Sequence, residues 1–542
     1  MTNVSVDNMQ NKAEFYVKEF IRCKNSFDYF CPKYIYLELT GGDMLFKPYK
    51  KQSELINKLL QEKYVLVLKS RQIGISTIIK AFAVWLTVFY ENVVIGIISK
   101  DAPEATDFTR GIIGMIEKLP NWMRPKFNKK TERTFILDNG SKCYASPVNP
   151  NAPEKTLRGK SITFLIIDEA AFIYHIDTAW TSMVPTLSTN QMHARNAGVP
   201  HGTILLSTPN RAVGVGSWFF KRYTRAVSNE KGSFYPFVIH WRDIQELATD
   251  PYWYKNICEL FDNDQRKIEQ ELELKFLNTE GSFFDEITST KLQDVITPPI
   301  EKFKLFNGEI WTFQEPVQGV EYLIGVDTAP EHGEDKSAIV VFNNETMEQV
   351  WEYQAKCRVV DFIKVVKLAC SKYPGTVIIE SNSYGNHVVE EIYNSEYAPR
   401  MYKEKRGVNT LIPGLSTNAK TRPLMIDALY SSVTEFPTII KSQRLSLELI
   451  SLVSKPSGRV EADIGCHDDL AMATSLCMYC RKYDPPLMSR KSFDHAIQDE
   501  FKDIITHNSR YLLGDISSGQ VIKHVKEKNA GGFINVFDYF NE

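Results

Sequence analysis

The stretch Leu66-Val-Leu-Lys-Ser-Arg-Gln-Ile-Gly-Ile-Ser-Thr77 constrains this chain more than any other, because it reads as an apolar strand, a tight loop and the start of a helix. Such a turn aims backbone N–H groups and the positive end of a helix dipole at one point, which suits an anion. The usual triphosphate-binding loop, G-x-x-x-x-G-K-[ST], adds a lysine for the β/γ oxygens and a hydroxyl for Mg²⁺. Gly74 and Ser76 match that pattern, but Lys69 stands where the first glycine belongs and Ile75 where the lysine belongs. If Lys69, Ser70, Arg71, Gln72, Ile73, Gly74, Ile75, Ser76 and Thr77 cradle ATP, the cation must be Lys69 or Arg71, and Ser76 is the expected metal ligand. An ordinary strand-turn-helix of an α/β core fits the same letters, so a second motif has to decide.

That motif is Ile162-Thr-Phe-Leu-Ile-Ile-Asp-Glu-Ala-Ala171, an apolar run that ends abruptly in two carboxylates. A strand buried on both faces reads as continuous Ile/Leu/Phe, and open parallel sheets bind ligands at the C-terminal ends of their strands. Asp168 is then expected to hold Mg²⁺ and Glu169 to orient the attacking water, the division of labour that phosphoryl transfer requires. A further strand at Thr203–Leu206 runs into Ser207-Thr-Pro-Asn-Arg211, a hydroxyl and amide cluster suited to sensing the γ-phosphate. Strands near 64–68, 93–99, 162–167 and 203–207, separated by helical patterns, predict a doubly wound α/β core. Upstream, Gln52 with Tyr49 is a candidate reader of adenine, since an amide can bond the base edge and a ring can stack on it. In the loop before the acidic strand, Arg158 is placed to approach phosphate or DNA, or to lie in solvent.

The remainder of the chain narrows the class. At 542 residues it is long for one hydrophobic core, which predicts two or three domains. Lys+Arg of 64 against Asp+Glu of 66 leaves a net charge of −2, so a nucleic-acid partner has to be held by local basic patches. No apolar run reaches the length of a membrane span and no signal peptide opens the chain, which predicts a cytosolic protein with no membrane partner. Nine cysteines, an odd number without framework spacing, fit a reducing compartment, and Cys477 and Cys480 are read as buried helical residues.

Lys69–Thr77, Leu165–Phe172 and Leu206–Asn210 together resemble the large terminase subunit of tailed bacteriophages, in particular its contractile-tailed branch. Members of that family often carry a deviant loop with an early basic residue, which directs attention to Lys69 and Arg71. The resemblance implies a packaging ATPase coupled to a metal-dependent endonuclease with a ribonuclease-H-like fold. It also implies double-stranded DNA, the portal protein of the procapsid and the small terminase subunit as partners, with a homo-oligomeric ring when docked on the portal. The location implied is the host cytoplasm and, transiently, that portal, but not the mature virion.

A second set of acids is therefore expected downstream, and the sequence supplies candidates. Glu321–Asp327 reads as a strand ending in an aspartate, Asp335–Phe342 as its hairpin partner, and Thr376–Glu380 as another strand ending in a carboxylate. His467-Asp468-Asp469 opens a helical pattern. Asp327, Glu380, Asp468 and Asp469 are the candidate ligands of two Mg²⁺ or Mn²⁺ ions, which would activate water and stabilise the leaving 3′ oxygen. Successive helical residues point about 100° apart, so only one of Asp468 and Asp469 is expected to face the metals directly, the other capping the helix or binding through water. Asp469 is favoured, with His467 as an outer partner. The expected organisation is a helical arm over 1–40, an ATPase domain over 41–300, a nuclease domain over 301–485 and a tail over 486–542 suited to docking a partner. A helicase-nuclease of repair or restriction, and an assembly protein whose loop died with Ile75, are the rival readings.

Overall fold

The computed structural model describes residues 3–484, apart from 213–215, 231, 279–280, 331–334, 383, 407–409 and 456–457. The tail 486–542 lies outside the described residues. Two sheets organise the chain. The first contains β1 (Tyr64–Lys69), β2 (Val94–Ser99), β3 (Phe127–Lys130), β4 (Thr134–Leu137), β5 (Lys142–Pro147), β6 (Phe164–Asp168), β7 (Gly202–Ser207) and β8 (Tyr235–Ile239). Its order is β8-β1-β7-β6-β2-β5-β4-β3; the strands from β8 to β5 are parallel, and β4 and β3 close the edge antiparallel. One strand, β7, thus stands between the phosphate-loop strand β1 and the acidic strand β6.

The apolar letters of β1 explain why it is central. Leu66 and Leu68 pack into the cluster on one face, while Val65 and Val67 pack into the cluster on the other. A strand covered by helices on both faces needs no polar side, and that is the doubly wound arrangement. The helix Ile75–Phe89 that follows is apolar nearly all round, and all of it is buried except the partly exposed Ser76, Thr77 and Lys80. The N-terminal arm packs on it: Phe27 and Phe30 are buried, and Trp85 Nε1 donates to the Cys23 carbonyl at 2.8 Å. The expected arm to residue 40 stops earlier. Helices Asn3–Asn25 and Phe27–Tyr34 give way to an antiparallel hairpin, Tyr36–Leu39 with Gly42–Leu45.

The second sheet contains β9 (Glu301–Leu305), β10 (Gly308–Thr312), β11 (Tyr322–Asp327), β12 (Ser337–Asn343), β13 (Gln349–Ala355) and β14 (Gly375–Ile379), in the order β9-β10-β13-β12-β11-β14. All neighbours are antiparallel except β11 and β14, which run parallel. This mixed sheet, with helices against it, is the α/β arrangement expected of a ribonuclease-H-like domain. Helix Asp469–Tyr483 crosses β11 at Gly325, where an added Cβ would sit 2.1 Å from the Ala473 carbonyl oxygen. Only glycine allows the helix that close.

The expected division at 300 does not coincide with the packing. Residues 281–294 already pair with the second unit: Phe283 N donates to Leu452 O at 2.9 Å, Ser454 N to Gly281 O at 2.9 Å, and Ser446 Oγ to Leu292 O at 3.0 Å. Buried apolar residues from both units, including Phe276, Phe284, Leu292, Leu445 and Leu449, form one continuous cluster. Among the described residues, no helix is long and apolar enough to cross a membrane.

Candidate functional site

β1 delivers Lys69 to its C-terminal end, and the loop then turns through Gln72 at φ 60° and Gly74 at φ 73° into the helix. Left-handed backbone at a non-glycine residue is strain held in place by its surroundings. Here the surroundings are specific. Ser70 N donates to Ile239 O at 3.0 Å and Arg71 N to Glu271 O at 2.7 Å, while Ser70 Oγ donates to Leu272 O at 2.7 Å and accepts from Trp241 N at 3.0 Å. Two loop N–H groups are therefore already engaged outside the loop, so the donors for an anion must come from Gln72 onward.

The two cations separate in space. Lys69 is 5% exposed, and its Nζ lies 2.9 Å from Glu169 Oε1, inside the cleft between β1 and β6. The Arg71 side chain is half exposed and pairs with Glu271 at 3.1 Å, away from the acidic strand. Ser76 Oγ donates to Asp168 Oδ2 at 3.1 Å, joining the two motifs directly. Burial, reinforced by the charge of Glu169 and opposed by Lys69 and Ser76, pushes the Asp168 carboxyl up to about 6. Glu169 itself sits at φ 52°, a strained turn that faces its carboxylate to Lys69. Beyond it, Ala171 N donates to Ser207 Oγ at 3.1 Å and Asn210 Nδ2 to Ala171 O at 2.9 Å. The Ser207–Asn210 cluster thus grips the turn that carries Glu169.

One expectation for this cleft changes. Gln52 is fully buried, its Oε1 accepting from Tyr49 N at 3.0 Å and its Nε2 donating to Ile73 O at 3.0 Å. Its amide is consumed as a strut under the loop, and it offers adenine no free edge. Ile73 and Ile75 are each 2% exposed and belong to the apolar core, so they can contribute only backbone to a phosphate. The position of the missing lysine faces the core in this chain, which is why an isoleucine fits there. Arg158 is exposed on its loop.

The second cleft lies at the ends of β11 and β14. Because these strands are parallel neighbours, with Val326 opposite Ile379 and Glu380 N donating to Val326 O at 3.0 Å, Asp327 and Glu380 emerge side by side. The start of helix Asp469–Tyr483 brings Asp468 and Asp469 to the same opening, a cleft of about 580 Å³ that Asp335, Asn382, Arg422 and Arg459 also line. Burial and the charge of Glu380 push Asp327 well above the ordinary carboxylate range. Burial takes Asp469 up to about 7 against the pull of Lys336, and raises Asp468 as well. His467 is pushed down to about 4 by burial and by Lys336, so at neutral pH it is an uncharged imidazole.

Both aspartates border the cleft. Asp468 occupies the helix N-cap without a side-chain cap bond, and its Oδ2 takes Ala462 N at 3.4 Å instead. Asp469 Oδ1 accepts Lys336 N at 3.1 Å and its Oδ2 accepts Gln354 Nε2 at 3.3 Å. The sequence reading passed over Asp335, whose ligand atom lies with those of His467 and Asp469 within a mutual 4.8 Å. A hairpin returns its chain to the end it left, and this could have flagged an acid at the start of the returning strand. Glu230 was also missed: it reaches from the first unit to Lys336 Nζ at 2.7 Å and to Arg225 at 2.8 Å. The donor set fits hard divalent cations. Its carboxyls crowd at a cost that a positive charge would relieve, and Thr328 Oγ1, which borders the cleft, is buried with no hydrogen-bond partner among the described residues.

The geometry defines a phosphate-loop unit followed by an acidic-cleft unit, and part of the chain matches a known family model. Residues 66–291 match the family model described as terminase large subunit, T4likevirus-type, N-terminal. Among solved structures, the HK97 bacteriophage large terminase is 12% identical, covering 84% of this chain and 99% of its own, at a TM-score of 0.38. The ATPase domain of the Thermus phage P74-26 large terminase is 19% identical, covering 43% and 95%, at 0.33. The magnesium-bound large terminase nuclease of thermophilic phage G20c is 16% identical, covering 37% and 97%, at 0.29.

Proposed function

We propose that this protein is the large terminase subunit of a tailed bacteriophage, an ATP-driven translocase of double-stranded DNA that also cuts the DNA it packages. The observation that carries the reading is the presence of two separate acidic sites on one chain, one built on a phosphate loop inside the matched 66–291 segment, the other a convergence of Asp327, Glu380, Asp468 and Asp469. In the first, Lys69 and the loop N–H groups from Gln72 onward bind the triphosphate, and Ser76 with Asp168 would hold Mg²⁺. Glu169, released from Lys69 as phosphate takes that lysine's charge, orients the attacking water. Ser207 and Asn210 sense the change through the Ala171 turn. In the second, Asp327, Glu380, Asp468 and Asp469 would hold Mg²⁺ or Mn²⁺, which supplies an activated water and a counter-charge for the leaving 3′ oxygen. Arg422 and Arg459 at the rim are placed to take the phosphate backbone. The partners proposed are double-stranded DNA, the portal protein, the small subunit and further copies of this chain in a ring on the portal. Hydrolysis measured with and without DNA, cleavage of plasmid and uptake of DNA into empty shells test this together. Strand separation without uptake would favour a helicase-nuclease, and ATP binding without turnover would favour a dead assembly protein.

A further inference from the structure

Behind the acidic cleft, helix Gln443–Ser451 is covered along its whole length from Arg444 to Ser451. Two of its buried side chains, Arg444 and Glu448, are charged and one turn apart, so they share a face. Arg444 Nε meets Glu352 Oε1 at 2.7 Å, and Glu448 Oε1 accepts Gln354 Nε2 at 2.7 Å. Glu352 and Gln354 stand two apart on β13 and therefore on one face of that strand. The two contacts fix how the helix is seated on the sheet, since sliding it by a residue would leave buried charge unpaired.

Glu448 does something more. Its Oε2 accepts Ala471 N at 3.0 Å, one of the N–H groups in the first turn of helix Asp469–Tyr483 that have no partner within that helix. A carboxyl at a helix N-terminus also complements the dipole. The same Gln354 Nε2 that Glu448 holds reaches Asp469 Oδ2 at 3.3 Å. Glu448 is 3% exposed and does not border the cleft.

We propose that Glu448 is a positioning residue of the acidic cleft, aiming Asp469 at the metal by tethering both the first turn of its helix and the Gln354 amide. The inference rests on reading that cleft as a metal-dependent nuclease site. Partners behind a metal ligand set the ligand's orientation, and their loss lowers metal affinity about 10–100-fold.

The test titrates Mn²⁺ and Mg²⁺ against plasmid cleavage by the full-length chain carrying Glu448→Ala, Glu448→Gln or Gln354→Ala. Glu448→Ala is expected to raise the metal concentration for half-maximal cleavage at least tenfold while the rate at saturating metal recovers most of its value. Glu448→Gln, which keeps an acceptor for Ala471 N–H, is expected to shift it less, and Gln354→Ala in the same direction as the alanine variant. An unchanged half-maximal concentration overturns the proposal, as does a lower saturating rate with no change in metal requirement. If Glu448→Ala does not fold by circular dichroism, the other two variants decide: no shift in either overturns it. Asp327→Ala, run alongside, separates the two readings. If that variant cleaves like the wild type, the nuclease assignment has failed and not the positioning role.

Discussion

Asp469 turns the acidic cleft into a measurable pH dependence of stability. Its carboxyl is 4% exposed and stands at about 7 in the fold against 3.8 ordinarily, burial being the main cause. An acid whose folded value is raised contributes full stability below its unfolded value and loses it as pH rises through the folded one. The gap between about 7 and 3.8, at ~1.36 kcal/mol per pH unit, is about 4 kcal/mol lost between pH 4 and pH 8. For a domain of this size that is about 10 °C in melting temperature. The perturbation is Asp469→Asn, which cannot ionise. Scanning calorimetry in EDTA across that range should show wild type declining more steeply than the variant, in which Asp327, Asp468 and Glu448 keep raised values of their own. The slope, not the absolute melting point, is the readout, because the amide also changes the bonds to Lys336 and Gln354. Added Mg²⁺ should restore stability to the wild type at pH 8 and do little at pH 4, where the carboxyls are protonated. Parallel pH slopes for the two proteins in EDTA would refute the reasoning.

Glu169→Gln should keep nucleotide binding but lose ATP turnover by at least about 10²-fold, since the water loses its orienting carboxylate while Asp168 remains; near-normal hydrolysis would sink the assignment. Lys69→Ala should weaken ATP binding and turnover far more than Arg71→Ala, because only Lys69 lies in the cleft with Glu169; equal effects in filter binding and phosphate release would contradict the geometry. Asp327→Ala and Glu380→Ala should each abolish plasmid cutting and leave ATPase activity intact, and retained cutting in both would remove the nuclease role. Gly325→Ala should cost about 1–3 kcal/mol or more by overpacking and reduce cutting, because its Cβ meets the Ala473 carbonyl; unchanged melting would show that the helix can shift aside.

Strand-borne residues were legible in the sequence because the signal is local. An apolar run stopping at Asp168, Asp327 or Glu380 announces a strand end, and the parallel sheet places such ends at one rim. What escaped depends on contacts between distant segments. Whether Lys69 or Arg71 faces the cleft is settled by residues 239–272 docking on the loop and engaging Ser70 and Arg71, which no local pattern encodes. Gln52 misled because an amide that can read a base can equally brace a loop. Glu448 and Glu230 carry no motif, since each acts through a partner more than ninety residues away in the chain. The boundary expected at 300 is not where the packing changes hands, because the bonds of residues 281–294 to the second unit are long-range.

The early crossing of residues 281–294 into the second unit sets a load path. The turn after Glu169 is tied to Asn210, Leu277 N donates to Asn210 O at 3.2 Å, and from Gly281 the backbone is hydrogen-bonded to Leu452 and Ser454. A displacement of the Glu169 turn would therefore be felt first at Asn210 and Leu277, a few residues before the main chain takes up its bonds in the second unit.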